Sequence, residues 1–339
     1  MSLCIGIQEQ THVAEGRRAA MRLASELSLD EAAANNLGLV VTEAARNVLK
    51  HAGGGKLLLH SVERNGARGI EILAVDNGPG IPDLDRCYQD GYSTAGTPGT
   101  GLGAIARLSG RHEIYSRRDQ GTVLMAQVWK MNGVRGVQPA LSRFCAGAVS
   151  VPFPGETECG DDWIFQEFGS SARLTVVDGL GHGLHAAEAA RLAIQTARAQ
   201  GDQPAASLLD RIHQALRPTR GAAVAIAQID SPAHVVRFAG LGNIGAAILP
   251  QTGPVRRCVS NPGTAGHSAH KMLEFNYPWD SQSLLLMHSD GLQSHWSFDP
   301  YPGLRERHPS LIAGVFFRDY ARGRDDVTVV AAREKRVQS

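Results

Sequence analysis

Glu43, Asn47 and His51 stand four apart, on one stripe of a segment whose apolar positions (Leu37, Val40, Val41, Ala44, Ala45, Val48, Leu49) recur at helical spacing. A carboxylate and a carboxamide on one helix face suit a proton acceptor and a metal ligand; they equally suit a solvated helix edge. Further on, the apolar run I-E-I-L-A-V ends in Asp76, and D-N-G-P-G-I-P leads to G-Y-S-T-A-G-T-P-G-T-G-L-G, ending at Gly103. Glycines at that density cost chain entropy on ordering. They make sense where backbone must come close to a ligand, and phosphate is the usual one. A hairpin turn at 76–80 with a flexible loop at 96–103 is the competing account.

A second acidic and glycine-rich set follows. Asp161 and Asp162 come after Cys159-Gly160, then T-V-V-D-G-L-G-H-G at 175–183, M-H-S-D-G-L at 287–292 and R-D-D-V-T-V-V at 324–330. Each places an aspartate at the start or end of a strand-like run, and hard oxygen donors gathered from separate strands suit Mg²⁺ or Mn²⁺. D-G is also a common turn. G-L-G-H-G after a strand imitates a dinucleotide loop, but it lacks the third glycine at the right spacing and a clear βαβ successor.

The elements that must position these residues fall into two groups. Helices are expected at 13–30, 31–50 and 102–109, with strands at 56–63, 69–75, 112–117 and 122–129; Gly53 to Gly55 stop the second helix. Residues 132–142 carry Gly and Pro without periodicity and read as a linker. Beyond it, strands are expected at 144–151, 163–168, 172–177, 222–229, 234–239, 246–249, 283–287 and 327–332, with helices at 184–199, 204–216 and 309–320. Strands with helices grouped between them indicate an α+β layered domain.

A chain of 339 residues exceeds one ordinary core, so two domains are expected, 1–131 and 143–335. With 43% hydrophobic and 20% charged residues it reads as globular. A net charge of +1 points to neither nucleic acid nor an anionic membrane. No apolar run approaches the ~20 residues of a membrane helix, and the N-terminus does not read as a secretory signal. The five cysteines form no C-x-x-C pair and fit free thiols in a reducing cytoplasm.

Taken in order, E-A-A-R-N on a helix, D-N-G-P-G after a strand, G-T-G-L-G before a helix and Gly121-Thr122 between strands resemble the ATP-binding domain of the gyrase, histidine-kinase and MutL superfamily (GHKL, or Bergerat-type, an α/β sandwich) over residues 32–129. Within it the likeness is to anti-sigma-factor serine kinases of the RsbT and SpoIIAB kind, which D-G-Y-S-T-A-G at 90–96 strengthens. The resemblance implies ATP and Mg²⁺ as cofactors. Asp76 would accept from the adenine amine, with Gly78 and Gly80 passing close to the base. Gly99, Thr100, Gly101, Leu102 and Gly103 would face the phosphates, and Thr122 would belong to the same site. Asn47 would hold the metal, and Glu43 would act as general base. His51 reads as structural.

The second set, G-D…D-G-L-G-x-G…S-D-G…D-D-x-T, resembles the PPM phosphatases in their SpoIIE and RsbX branch over 144–332, an αββα sandwich of two antiparallel sheets. C-G-D (159–161), T-R-G-A (219–222), L-G-N (241–243) and H-S-D-G-L (288–292) look RsbX-like. The resemblance implies two Mn²⁺ or Mg²⁺ ions. Asp178 would bridge them with the Gly179 carbonyl as a further ligand; Asp161 would support one metal, directly or through water, Asp290 and Asp325 the other, and Asp326 would support Asp325. Leu180 stands where many relatives carry a histidine, so the proton donor is unassigned. The pairing implies a bifunctional regulator of a partner switch, kinase-like and phosphatase, acting in the cytoplasm on STAS-domain or stressosome-type proteins. A homodimer is compatible with it. An ATP-gated phosphatase, or a nucleotide-dependent partner-binding protein without kinase activity, is the alternative.

Overall fold

The protein is described by a computed structural model covering residues 2–64, 66–82, 101–130, 142–269 and 271–335. Gly99 and Thr100, the 90–96 segment, Cys87 and nearly all of the expected linker lie outside the described residues. The chain divides into two compact units, residues 1–142 with 306–318, and residues 143–305 with 319–339.

Unit 1 contains β1 (Ser2–Ile7), α1 (Gln10–Glu26), α2 (Glu31–Ala52), β2 (Gly55–Arg64), β3 (Ala67–Asp76), α3 (Gly101–Leu108), β4 (Arg111–Ser116) and β5 (Thr122–Trp129). The strands form one sheet in the order β1-β2-β3-β5-β4, every pair antiparallel. Strand β1 was not among the expected elements. It is a short edge strand with only Ile7 fully buried, so its alternation is weak. On the helical side Leu37, Val40, Ala44 and Val48 of α2 pack on Leu57, Leu59, Ile70, Ile72, Leu124 and Ala126. These are alternate positions along their strands, as a pleated sheet requires.

The other face of β3 is buried too, which is why I-E-I-L-A-V is nearly continuous in apolar residues and not alternating. Residues 306–318 lie on it. Gly314 has no room for a Cβ beside Val123, the Lys56 ammonium lies 4.8 Å over the Phe317 ring, and the His308 N–H donates to Glu113 at 2.9 Å.

Helix α2 carries Glu43 and Asn47, and its ends are well defined. The Asp30 carboxylate accepts the Ala33 N–H at 3.0 Å as N-cap, with Glu31 in the first turn and Lys50 and His51 in the last. Gly53 ends it in the left-handed conformation (φ 72°), donating to the Leu49 carbonyl.

Unit 2 has two five-stranded antiparallel sheets, β13-β10-β9-β8-β7 and β12-β11-β14-β15-β6. Their elements are β6 (Phe144–Val151), β7 (Asp161–Phe168), β8 (Ser171–Gly179), α4 (Leu184–Arg198), α5 (Ala205–Leu216), β9 (Ala222–Asp230), β10 (Val235–Leu241), β11 (Gly245–Leu249), β12 (Arg256–Arg257), β13 (Phe275–Pro278), β14 (Leu284–His288) and β15 (Val327–Glu334); α6 (Pro309–Tyr320) lies between β14 and β15 in the chain. Leu174, Val176, Ala227 and Phe238 of one sheet meet Phe144, Ile248, Leu285 and Val330 of the other in a shared core. The first sheet's outer face receives α4 and α5 through Ala189, Ala193, Leu208 and Ile212.

This is the α+β architecture expected. The strands β12 and β13, of two and four residues, were missed because so short a run shows no period. The fully buried Arg173 of β8 donates to the carbonyls of Ala197, Gln200 and Gly201, satisfying acceptors left open around the end of α4. Helix α4 is thereby fixed at the end opposite Gly183.

Removing the α2 cap with Asp30→Ala should destabilise unit 1 by about 1 kcal/mol, read as a lower urea midpoint with an unchanged slope.

Candidate active sites

In unit 1 the side chains of α2 meet the start of α3. A Cβ placed on Gly101 would stand 3.1 Å from Glu43 Oε2 and 3.5 Å from Asn47 Oδ1. Glu43 also pairs with the exposed Arg46 at 3.2 Å. The opening N–H groups of a helix lack intrahelical partners and carry its positive end. Proton acceptor, carboxamide and anion-seeking backbone therefore converge here.

Asp76 ends β3 directly opposite Thr122 of β5. Its Oδ1 accepts the N–H groups of Gly78 at 2.9 Å and Thr122 at 3.1 Å, which fixes the carboxylate plane. Burial raises its pKa in spite of those bonds. Ser116 closes the turn: its hydroxyl meets Thr122 Oγ1 at 2.8 Å, accepts the Ile81 N–H at 2.7 Å and donates to the Gly121 carbonyl at 3.2 Å. Gly80 abuts the Arg117 carbonyl with φ 73°, leaving no room for a side chain. Because β3 pairs with β2 and β5, residues 76–80 do not close a hairpin. His51, read as structural, is exposed at the end of α2. Leu102 is half-buried and Gly103 buried.

In unit 2, Asp161 and Asp178 are cross-strand partners on β7 and β8. Asp290 follows β14, and Asp325 and Asp326 precede β15, so both sheets bring carboxylates to one end of the sandwich. Ser289 ties the sheets together. Its hydroxyl donates to Asp161 Oδ2 at 2.6 Å and accepts the Thr328 N–H at 2.9 Å, while its own N–H donates to the Thr328 carbonyl at 3.0 Å. The Asn243 amide donates to Asp290 at 2.7 Å.

Asp326 was expected to support Asp325, and the contact found between them is made by the Asp326 backbone and not by its carboxylate. Its backbone N–H donates to Asp325 Oδ1 at 2.9 Å, and its carboxylate accepts the Phe153 N–H at 2.8 Å. Gly179 is pressed against the Ala186 carbonyl, and a Cβ on Gly160 would lie 2.6 Å from Asp326 Oδ2. The His182 ring stacks on Phe153 at 4.4 Å, and its Nδ1 lies 2.9 Å from Glu156.

Burial, with Asp290 and Asp325 adding like charge, pushes Asp178 up to about 7. Asp161, Asp290 and Asp326 are raised too, burial again first. Asp161 Oδ1 and Asp326 Oδ2 are buried without a hydrogen-bond partner. Among the described residues no group of three or more His, Cys, Asp or Glu side chains is arranged to hold a metal ion as the side chains stand. The carboxylates are close enough to repel, and the orphaned oxygens fit a hard divalent cation.

Sequence reading assigned no role to Ser116, Asn243, Ser289 or Thr328. The last three sit inside the L-G-N, S-D-G and D-D-x-T strings, so adjacency to an acidic motif was the available signal. Nothing local marks Ser116, whose link to Ile81 comes from 35 residues away. The Phe153 N–H contact is equally invisible, since it depends on a turn 173 residues from Asp326.

The two folds are those of a kinase-like ATPase domain and a PPM-type phosphatase domain. The histidine kinase-like ATPase domain model matches residues 8–128, and the stage II sporulation protein E (SpoIIE) model residues 169–335. The serine/threonine-protein kinase RsbT of Bacillus subtilis (strain 168) is 32% identical over 126 residues, 37% of this chain and 95% of RsbT. The phosphoserine phosphatase RsbX of the same organism is 22% identical over 138 residues, 41% of this chain and 69% of RsbX.

Among solved structures, one described as "The bacterial stressosome: a modular system that has been adapted to control secondary messenger signaling" has a TM-score of 0.54 at 28% identity, covering 57% of this chain and 100% of its own. RsbX in complex with magnesium has a TM-score of 0.50 at 19% identity, covering 58% and 98%, and shares the fold. The chain belongs to the histidine kinase-like ATPases as a homologue of RsbT, and it carries in the same polypeptide a SpoIIE-type PPM domain homologous to RsbX. Among the described residues no helix is long and apolar enough to cross a membrane.

A carboxyl raised to about 7 when folded holds its proton where the unfolded chain, at about 4, has lost it. Its contribution is full below about pH 4 and lost as pH rises towards 7, at no more than about 1.4 kcal/mol per pH unit for one group. Urea unfolding of the metal-free chain should therefore show stability falling from about pH 5 to about pH 7. Asp178→Asn should flatten that slope, and Mn²⁺ should restore stability at the upper end.

Proposed function

We propose that the chain is a bifunctional regulator of a partner switch, phosphorylating serine or threonine on STAS-domain or stressosome-type proteins and removing such phosphates. The observation that carries this reading is that a helix-start cradle with Glu43 and Asn47 and a buried carboxylate cluster around Asp178 occur in one polypeptide.

In unit 1 the free oxygen of Asp76 accepts the adenine amine, its other oxygen being engaged by Gly78 and Thr122. Gly78 and Gly80 let the base approach, and Gly99, Thr100, Gly101, Leu102 and Gly103 face the phosphates. Asn47 holds Mg²⁺. Glu43 takes the proton from the protein hydroxyl as its oxygen bonds to the γ-phosphorus and the bridge to ADP breaks.

In unit 2, Asp178, the Gly179 carbonyl, Asp161, Asp290 and Asp325 hold two Mn²⁺ or Mg²⁺ ions. Such ions, when bound, supply an acidified water for in-line attack on phosphorus. Asn243 keeps the Asp290 carboxylate in place, and Ser289 does the same for Asp161. As the P–O bond to the protein side chain breaks, the leaving oxygen takes a proton from solvent.

Incubating the full chain with STAS proteins of the same genome, and following phosphate in both directions, tests both halves. Glu43→Ala should abolish transfer from ATP with hydrolysis intact; absence of transfer by the unsubstituted chain would sink the kinase half. Asp178→Asn should lower Mn²⁺-dependent hydrolysis by a factor on the order of a hundred or more, and retained activity would refute the metal assignment.

A further inference from the structure

Beside the carboxylate cluster lies a groove of about 620 Å³ lined by Arg257, Ser294, His295, Trp296, Ser297 and Tyr320. One wall is the stretch that follows Asp290. The Gln293 N–H donates to the Tyr320 carbonyl at 2.9 Å, the Arg322 N–H to the Gly291 carbonyl at 2.8 Å, and the Ser297 N–H to the Tyr320 hydroxyl at 3.4 Å. These bonds press residues 290–297 against 320–322, so the groove adjoins both loops that carry Asp290 and Asp325.

Its floor is rigid. The Trp296 indole is 8% exposed and donates to His288 Nε2 at 3.1 Å, while His288 Nδ1 lies 2.8 Å from the Ser289 carbonyl. A neutral imidazole that donates from Nδ1 and accepts at Nε2 satisfies both contacts. The Arg257 guanidinium lies 5.1 Å over the indole and donates to the Ser294 carbonyl at 3.3 Å. A stacked arginine is pre-organised, so less rotamer freedom is lost when a carboxylate binds it.

Cationic side chains stand exposed along the rim. Arg257, His295, Arg322 and Arg324 are exposed, and among the described residues none of these three arginines has a carboxylate within ion-pair distance. Arg322 is near enough to draw down the pKa of Asp290 against its burial. Of the carboxylates near the lining residues in the chain, Asp299 accepts from the Ser297 hydroxyl at 2.7 Å, and Asp319 directly precedes Tyr320.

We propose that this groove receives an acidic flank of the phosphorylated protein segment, with Arg257 and His295 binding Asp or Glu side chains near the phosphoserine or phosphothreonine. The inference rests on the phosphatase reading of unit 2 and adds a substrate preference to it. Three properties support it: a basic rim, a pre-set guanidinium on an immobile indole, and continuity with the loops bearing two of the cluster's carboxylates.

The test uses the full chain with Mn²⁺ and phosphoserine peptides that differ only in acidic, neutral or basic flanks. p-Nitrophenyl phosphate reports the chemistry alone. The acidic peptide should exceed the neutral one in kcat/KM by about tenfold, chiefly through KM, and the ratio should shrink at high ionic strength. Arg257→Glu and, separately, His295→Glu should bring the acidic-to-neutral ratio towards or below one. Should Arg257→Glu fail to fold, His295→Glu and the salt series decide.

Equal kcat/KM for all flanks, a preference for basic flanks, or a ratio that survives both substitutions overturns the proposal. So does turnover of p-nitrophenyl phosphate without turnover of the acidic peptide. No hydrolysis of p-nitrophenyl phosphate at all overturns the phosphatase reading instead.

Discussion

Like charges crowded into a poorly solvated place are the constraint on which unit 2 depends. Asp161, Asp178, Asp290 and Asp326 all have their pKa raised, by burial first and, for each of them, by a neighbouring aspartate as well. Such an arrangement is unfavourable without a counter-charge, and a fold that only needed turns at strand ends would not bury its aspartates together. The two sheets are joined at this end by the Ser289 hydroxyl, which donates to Asp161 of the other sheet while Ser289 bonds Thr328 of its own. Ser289 therefore holds Asp161 in place and sets the register of the strand ends at once. The strain of the cluster and the geometry of the sandwich are one problem with one solution.

Unit 1 reaches its site by a different route. Its functional groups sit on a helix whose other face is an apolar stripe locked into a core, and on loops bound back to the sheet. Glu43 and Asn47 are consequently aimed by the packing of Leu37, Val40, Ala44 and Val48, with the exposed Arg46 pairing to Glu43 at the surface. Asp76 is aimed by two backbone N–H groups, one local and one from the neighbouring strand. The two units thus differ in what would loosen them: a lost methyl group under α2, or a lost hydroxyl at Ser289.

Much of this was legible in the residues. Periodicity marked α2 and its polar stripe, and the strings around Asp76, Asp178, Asp290 and Asp325 marked the sites because a glycine beside an aspartate leaves a local trace. The order of those strings conveyed the α+β plan. What stayed hidden depended on contacts distant in sequence. Ser116 looks like any strand-end serine until Ile81 and Thr122 are brought to it, and Asn243 becomes informative only when β14 delivers Asp290. Edge strands β1, β12 and β13 are too short or too weakly alternating to announce themselves. The full burial of β3 needed a covering segment from more than two hundred residues away in the chain.

That covering segment has a genetic consequence. The polypeptide passes between the compact units near residue 142, again near 305 and a third time near 318. A stop codon after the first crossing would produce a chain with the ATP-type strands but without the segment over β3, leaving Leu73 and Val123 uncovered. The two domains are therefore not beads that recombination could exchange by a single crossover. Substitutions at residues 306–318 are therefore expected to act on unit 1, although that segment lies within the stretch of chain that otherwise builds unit 2.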